Sequence, residues 1–583
     1  MSWLQDPNRV RQLLSGRHLG ILQGTAQLGL ATVSGVLSTK TALVEYVDRN
    51  LPAFSVVTTK SFQVVPNPGN REPIICEPSP GSFGNSVGLK NPGMEVALAE
   101  LKALRGRLDM RTLLNVSVSA STVEDFITLV GAFEPVADII ELNFSCPHAS
   151  AGYGASIGCS AEISGLYMSE IRKTFPHCGA LIFPKLTPNV PDIAIIAKEV
   201  MDAGADGIVA INTVGPEVHV EPISGKPILQ NKLGGKGGKS GLWVRDEALA
   251  CIGAIRKAVG DSVPIIGMGG VSTGTDVAQM VRAGADVVGV GSAFGKVHQR
   301  DWRSYSDALA SDATMVLKGN VDPDTARTWY RKESSMEYAR HTIIGRTTHG
   351  EDTVVITLDG SWEYEAGQFV FLWLPQVGEK PFSIAEANPF TFVIKRRGAF
   401  TNALYDLRVG DPLYVRGLYG APVVPDLTKR AILVAGGTGV AVLPALAKRL
   451  HDQGTEMEIY VGTSESVADG RLFEENLSPY GKVTIVADEG IPGRVLQQVR
   501  SALQSEVQDL SCYVVGPSVF MRIAADDMLD AGIRADRIHL SLELNTLCGI
   551  GMCGECLCGE RLTCAWGTFI DYGYIRREAP GLL

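Results

Sequence analysis

The sequence predicts an α/β chain of several domains: a (β/α)8 barrel, then a small antiparallel β-barrel, an α/β sheet with a glycine loop, and a short cysteine-rich terminal domain. Three observations predict it. Between Gly29 and Phe294, short β-branched or apolar runs alternate with amphipathic helical stretches. Beyond Glu337, short alternating runs broken by Gly, Asp, Asn and Pro lead to an apolar run that enters Gly436-Gly437-Thr438-Gly439. Five of the eleven cysteines crowd between Cys548 and Cys564. At 583 residues the chain exceeds what one hydrophobic core supports.

The N-terminal half contains eight such runs: 30–35, 54–61, 113–120, 138–145, 180–187, 207–213, 263–269 and 286–292. Ala203-Gly204-Ala205-Asp206 and Ala283-Gly284-Ala285-Asp286 echo one another, each closing a helix with Gly and opening a strand. An open doubly wound sheet would alternate in the same way, but eight is the number that closes a barrel. In a barrel, functional groups gather at the C-terminal ends of the strands. Ser34, Lys60, Asn143, Cys146, Lys185, Asn212 and Thr213 all fall there. The loops at Gly269-Gly270 and Gly291-Ser292 follow the seventh and eighth runs, where barrels hold phosphate on backbone N–H groups, and suggest FMN. A rim thiol such as Cys146 can act as acid or base toward a carbon acid, although a lone Cys is as readily a small buried hydrophobe. Asn143 and Asn212 suit the amide edges of a pyrimidine, and Lys60 or Lys185 can hold negative charge on reduced flavin.

Residues 316–336 are charged and aperiodic and read as a linker after a barrel over 1–315. The runs at 342–346, 353–358, 369–374, 390–395 and 412–416 suit a β-barrel over 337–428. Within it, Lys380-Pro381-Phe382-Ser383 and Gly398 to Thr401 offer a cation, hydroxyls and backbone N–H groups to a flavin pyrophosphate. Strand, glycine loop and helix then follow in order over 431–450, with Gly436, Gly437 and Gly439 in the loop, as a dinucleotide site requires; this opens an α/β domain over 429–540.

The last segment, 541–583, carries Cys548, Cys553 and Cys556 in C-x4-C-x2-C spacing with intervening glycines, then Cys558 and Cys564. That asymmetric spacing suits an iron–sulfur cluster. Zinc prefers paired C-x2-C motifs, and a disulfide staple is rare in a reducing compartment. Cys558 and Cys564 both lie within reach as the fourth ligand; Cys564 is the expected one, because Cys558, only two residues past Cys556, would compete with it for one position. A net charge of −10 supplies no basic face for nucleic acid. The start of the chain is charged, unlike a signal peptide, and no apolar run reaches membrane-spanning length, so a cytoplasmic protein is expected.

Thr59-Lys60-Ser61, Asn85 to Gly93, Asn143 to His148, Lys185-Leu186-Thr187-Pro188 and Ile211-Asn212-Thr213 together resemble class 1 dihydroorotate dehydrogenase over most of residues 20 to 310. The resemblance implies a TIM barrel in which Cys146 takes the C5 proton of dihydroorotate while hydride leaves C6 for N5 of FMN. Asn85, Asn143, Asn212 and Thr213 would bind the pyrimidine, with the backbone of Val87, Gly88 and Leu89 near its carboxylate. Ser34, Gly35, Lys60 and Ser61 at one side, with Lys185, Gly241 and the two phosphate loops, would hold the flavin. His148 stands where many members have Asn, and dihydropyrimidine dehydrogenase has a similar Ser-Cys-Pro-His run. The segment Leu233 to Gly241 is longer than the usual Gly-Gly-x-Ser-Gly, and Cys159 is a second thiol on the loop expected over the site.

Residues 337 to 583 are similar to the ferredoxin–NADP reductase superfamily, above all to the electron-transfer subunit of class 1B dihydroorotate dehydrogenase. That resemblance implies FAD on the β-barrel, NAD on the sheet and a C-terminal 2Fe-2S cluster. Lys380 replaces the usual Arg of the family's Arg-x-x-Ser pattern, and the gap from Cys556 to Cys564 is shorter than usual. The chain looks like both subunits fused. The expected activity is oxidation of dihydroorotate to orotate, with electrons passing from FMN through the cluster and FAD to NAD+, in a homodimer formed through the barrel. Two alternatives remain at this point: a dihydropyrimidine dehydrogenase acting on uracil-like rings, and a non-enzymatic flavin and iron–sulfur electron carrier.

Overall fold

The computed structural model describes residues 6–144, 157–331, 335–464, 471–489, 493–504 and 507–583. Two compact units are distinguished: Met1–Ser334 with Ile550–Gly554, and Ser335–Gly549 with Glu555–Leu583.

In the first unit, β1 (Leu30–Thr32), β2 (Phe54–Thr58), β3 (Leu113–Val118), β4 (Ile139–Asn143), β5 (Leu181–Lys185), β6 (Ile208–Ala210), β7 (Ile265–Met268) and β8 (Val287–Val290) pair in chain order into a closed parallel barrel. β8 pairs back to β1, Val288 opposite Leu30, which excludes the open sheet. Each strand lies within one of the eight predicted runs. The sequence echo has a physical basis. Gly204 and Gly284 adopt positive φ at helix ends. The aspartates that follow each accept a backbone N–H from the preceding strand and a guanidinium hydrogen bond, Asp206 from Ile182 and Arg172, Asp286 from Ile265 and Arg256. Asp138 repeats the clamp with Leu114 and Arg105. Val10 and Leu14 of the first helix join Val56, Leu113, Ile139, Leu181, Phe183 and Val209 in the barrel core.

Two long insertions, from β2 to β3 and from β6 to β7, meet in a four-stranded antiparallel sheet ordered Ile75–Ser79, Ser82–Asn85, Lys236–Gly241, Val214–Val218. Described residues of the expected linker pack on this unit. The helix Trp302–Leu317 runs into it, and Thr325 donates to Asp312 at 2.7 Å while Ala326 is buried.

The second unit begins with a seven-stranded antiparallel sheet. Its strands are β9 (Ala339–His349), β10 (Thr353–Leu358), β11 (Phe369–Leu374), β12 (Gly378–Ser383), β13 (Glu386–Ala387), β14 (Phe390–Lys395) and β15 (Pro412–Tyr419), ordered β12-β11-β15-β9-β10-β14-β13. The first part of β9 pairs with β15 and the rest with β10, so one long strand serves both halves of the sheet around a shared core that includes Ile343, Ile356, Leu372, Phe392 and Val415.

A six-stranded sheet follows. It comprises β16 (Arg430–Gly436), β17 (Glu456–Thr463), β18 (Lys482–Ala487), β19 (Leu510–Val515), β20 (Ile538–Ser541) and β21 (Phe569–Asp571), ordered β18-β17-β16-β19-β20-β21. The order reverses between β16 and β19, the crevice where open α/β sheets bind nucleotides. β21 pairs antiparallel with β20, so the cysteine-rich segment is stitched to this sheet. Its own regular pairing is only Leu557–Cys558 with Arg561–Leu562, too little to bury a separate core.

Candidate active site and cofactor cradles

Successive residues of a strand point to opposite faces, so alternate residues line the barrel interior. On β3, β4 and β5 the inward sequence runs Leu113, Asn115, Ser117; Ile139, Glu141, Asn143; and Leu181, Phe183, Lys185, with the first of each in the apolar core. The interior therefore changes from apolar to polar toward the C-terminal rim.

There the side chains form one network. Ser34 and Ser61 hydroxyls are 3.1 Å apart, and Ser61 and Ser117 are 2.9 Å apart. Ser117 donates to Glu141 Oε1 at 2.8 Å, and Lys185 Nζ lies 3.4 Å from the same oxygen. Asn143 Nδ2 donates to Ser61 at 3.1 Å, while its Oδ1 faces Asn212 Nδ2 at 3.4 Å. Glu141 and Lys185 are both buried. Thr213 Oγ1, Asn115 Oδ1 and Ser119 Oγ are buried with no hydrogen-bond partner among the described residues. Buried polar atoms are ordinarily satisfied, so these orphans fit a polar ligand at the strand ends. Lys60 approaches Gly35, where an added Cβ would lie 3.6 Å from Nζ.

The loop from Ser86 to Gly93 is tied at many points. Asn70 Nδ2 donates to Ser86, Asn231 Nδ2 to Ser86 Oγ, and Asn91 accepts from Gln63 N and Gly93 N. Gly88 and Leu89 both take positive φ, 75° and 57°. For Leu that conformation is held against its own preference, which fits a segment shaped to present backbone groups. Asn85 donates to Gly238 O at 3.2 Å, and so sits at the junction of this loop with the insertion sheet. Gly241 lies in that sheet opposite Ser82. Gly269 and Gly270 have φ of 129° and 74° ahead of the helix Gly274–Ala283, and Gly291-Ser292 follow β8, which puts both pairs at the strand ends where a barrel can offer backbone N–H groups to phosphate. Cys146 and His148 lie outside the described residues. Cys159 is an exposed residue, and the partial desolvation of its thiol raises its pKa.

Sequence reasoning did not assign Asn115, Ser117 or Glu141. The signal was present as polar residues at period 2 on strands whose first inward residue is apolar.

In the second unit, Lys380 to Ser383 form the end of β12, and Gly398 opens the helix Ala399–Asp406. Phe382 and Phe400 rings are 6.4 Å apart, which brings the two flavin-type motifs together. Thr401 Oγ1 accepts from Gly398 N at 3.1 Å and closes that helix start. Gly436 ends β16 and Gly437 and Gly439 follow it at the switch point, and Gly436 and Gly516 both pack on Phe520. A Cβ on Gly439 would lie 3.0 Å from Val515, so the loop approaches β19 as a dinucleotide cradle does.

Around the cysteines, Cys548, Cys556 and Cys564 are buried, and the Cys564 thiol makes hydrogen-bond contact with both others. Those two neighbours, with burial, push the Cys564 thiol well above its ordinary pKa. Such crowding of thiols fits ligands that ionise on a metal. Cys553 lies on the same loop, in which Gly549, Gly551 and Gly554 all have positive φ. No three His, Cys, Asp or Glu side chains among the described residues converge on a single-ion site. A two-iron cluster divides its four cysteines between two metals, so it does not need such a point. Cys558 instead packs in the α/β core with Tyr572, Tyr574 and Ile575, where burial pushes its thiol up to about 11.

The dihydroorotate dehydrogenase family profile matches residues 27–304. The catalytic subunit of dihydroorotate dehydrogenase B (NAD(+)) from Methanocaldococcus jannaschii is 42% identical over 245 residues, covering 40% of this chain and 74% of that relative. The corresponding subunit from Methanothermobacter thermautotrophicus is 39% identical over 238 residues, 41% of this chain and 74% of its own. Among solved structures, an NADH-dependent reduced ferredoxin-NADP oxidoreductase studied for flavin-based electron bifurcation matches 41% of this chain and 92% of its own, with TM-score 0.37 and 25% identity.

Proposed function

The chain belongs to the dihydroorotate dehydrogenase family, and from that premise we propose that it is the NAD+-dependent enzyme with its electron-transfer module fused in one polypeptide. The observation that carries the reading is the polar layer at the barrel rim, in which Lys185, Glu141, Ser117, Ser61 and Asn143 are linked directly and Asn212 joins through Asn143.

In this reading Asn143 and Asn212, already fixed against one another, orient the amide edges of dihydroorotate, and the tied loop Val87 to Leu89 meets its carboxylate. Cys146 takes the C5 proton. Lys185, held by Glu141, and Lys60 balance negative charge that builds above them. FMN on the barrel, 2Fe-2S at Cys548, Cys553, Cys556 and Cys564, FAD at Lys380 to Ser383 and Gly398 to Thr401, and NAD at Gly436 to Gly439 would together supply a hydride acceptor, a one-electron bridge and an outlet. Two flavins that each exchange hydride need separate pockets, so a one-electron carrier on the same chain is what the arrangement requires. Among the described residues no helix is long and apolar enough to cross a membrane.

The test is to assay purified protein with NAD+ and either dihydroorotate or dihydrouracil, and to measure its FMN, FAD and iron. Turnover of dihydroorotate with both flavins and iron present is expected. Reduction by dihydrouracil alone would move the chain to pyrimidine catabolism chemistry, and absence of FMN would remove the barrel from the reaction.

A further inference from the structure

Arg416 is completely buried in the second unit, and so is its partner Glu379. The pair is bidentate: Nε to Oε2 at 2.9 Å and Nη2 to Oε1 at 2.6 Å. Nη1 donates to Tyr419 OH at 2.8 Å and to the carbonyl of Cys548 at 3.0 Å. Tyr338 OH donates to Glu379 Oε2 at 2.6 Å, and the guanidinium carbon lies 3.9 Å from the centre of the Phe371 ring. Phe371 and Tyr419 also bound Gly549, where a Cβ would lie 3.0 Å from each. A buried ion pair is often no more stabilising than packed hydrocarbon, so stability alone does not account for it.

Its placement supplies a reason. Glu379 immediately precedes Lys380 on β12, and Arg416 stands on β15, with β11 between them. The pair therefore spans from the flavin-motif strand to the backbone of the first cysteine. β15 grips the cluster segment again just past its end, where Gly420 N donates to Cys564 O at 3.0 Å.

We propose that Arg416 is a positioning residue for the cluster, joining the Cys548 end of its loop to the flavin strand and, through the Arg416–Glu379 dipole, favouring the reduced cluster. This rests on the reading that Cys548, Cys553, Cys556 and Cys564 hold 2Fe-2S. The guanidinium is the end of the dipole that meets the cysteine loop, and the carboxylate is on the far side. An added electron at the cysteines is thus stabilised by the nearer positive charge and opposed by the more distant negative one.

The test is an EPR-monitored redox titration of the full-length holoprotein, with iron and FAD content measured in each variant. Glu379→Gln removes the opposing charge and should raise the ratio of reduced to oxidised cluster at a fixed potential roughly threefold or more. The double variant Arg416→Met with Glu379→Met removes both charges without leaving one buried alone, and should shift it the other way. Arg416→Lys should keep the direction of the parent. Opposite shifts support the proposal, as does a double variant that keeps FAD but loses iron while Arg416→Lys retains it. Shifts of the same sign, or none with iron retained, overturn it. An iron-free parent protein would instead overturn the cluster reading on which it rests.

Discussion

At the scale of single residues, Glu141 is the side chain with the largest expected effect. It sits wholly buried between Ser117 and Lys185, so its charge is what permits an ammonium group inside the barrel. Glu141→Gln leaves that ammonium without its partner, and a cost of about 3–5 kcal/mol follows from breaking one side of a buried pair. The expected outcome is a barrel that unfolds at markedly lower temperature and releases FMN more readily, read by calorimetry and by flavin fluorescence after gel filtration. Unchanged stability and flavin retention would refute this role for Glu141. Lys185, Asn143 and Asn212 were legible in the sequence because each falls toward the C-terminal end of a predicted run, whereas Ser61 entered only through the family resemblance. Glu141, Ser117 and Asn115 were not, because a polar residue within an apolar run declares its orientation only once the register of neighbouring strands is known. Asn115 faces Ile139, and Ser117 faces Glu141.

Elements show the same division between local and long-range information. The eight barrel strands could be read because each unit repeats the same local logic, down to the Gly and Asp that close one helix and open the next strand. β12 was read as a motif rather than as a strand, since its pairing with β11 depends on residues that are not periodic in Glu379 to Ser383. The insertion sheet could not be read at all, because its strands come from segments more than a hundred residues apart. His219, just beyond the end of its last strand, gives that sheet a pH signature. Its ring packs on Trp243 with centroids 5.5 Å apart, and burial lowers its pKa below 6.5, with the nearby charges of Glu217 and Lys239 acting in opposite directions. The unfolded chain then takes up a proton first as the pH falls. The stability that His219 contributes is complete above about 6.5 and is lost progressively below it. The thermal midpoint of the parent should therefore fall more between about pH 7.5 and 5.5 than that of His219→Phe, and parallel curves would refute this. In the cluster loop, Cys564→Ser should abolish bound iron. Cys558→Ala should keep it, because Cys558 belongs to the apolar core of the sheet; iron analysis of the two variants reverses the assignment if the outcomes are exchanged.

For the molecule as a whole, the proposed function joins a pyrimidine site and a nicotinamide site in one chain, and its consequence would be that either end is loaded with electrons independently. Each unit has its own hydrophobic core, and the residues assigned to substrate oxidation and those assigned to NAD lie in different units. Removing the proton acceptor at one end should therefore silence that entrance and leave the other open. Cys146→Ala is expected to slow bleaching of the flavins by dihydroorotate at neutral pH by at least about a hundredfold, the low end of what a positioned general base contributes. NADH should still bleach the FAD of the same preparation at the parental rate, since Gly436 to Gly439 and the β12 strand are untouched. Anaerobic stopped-flow traces with each reductant in turn separate the possibilities. Loss of both reductions would mean that the variant is misfolded. Retention of both would mean that another group, with Cys159 the next candidate, takes the C5 proton.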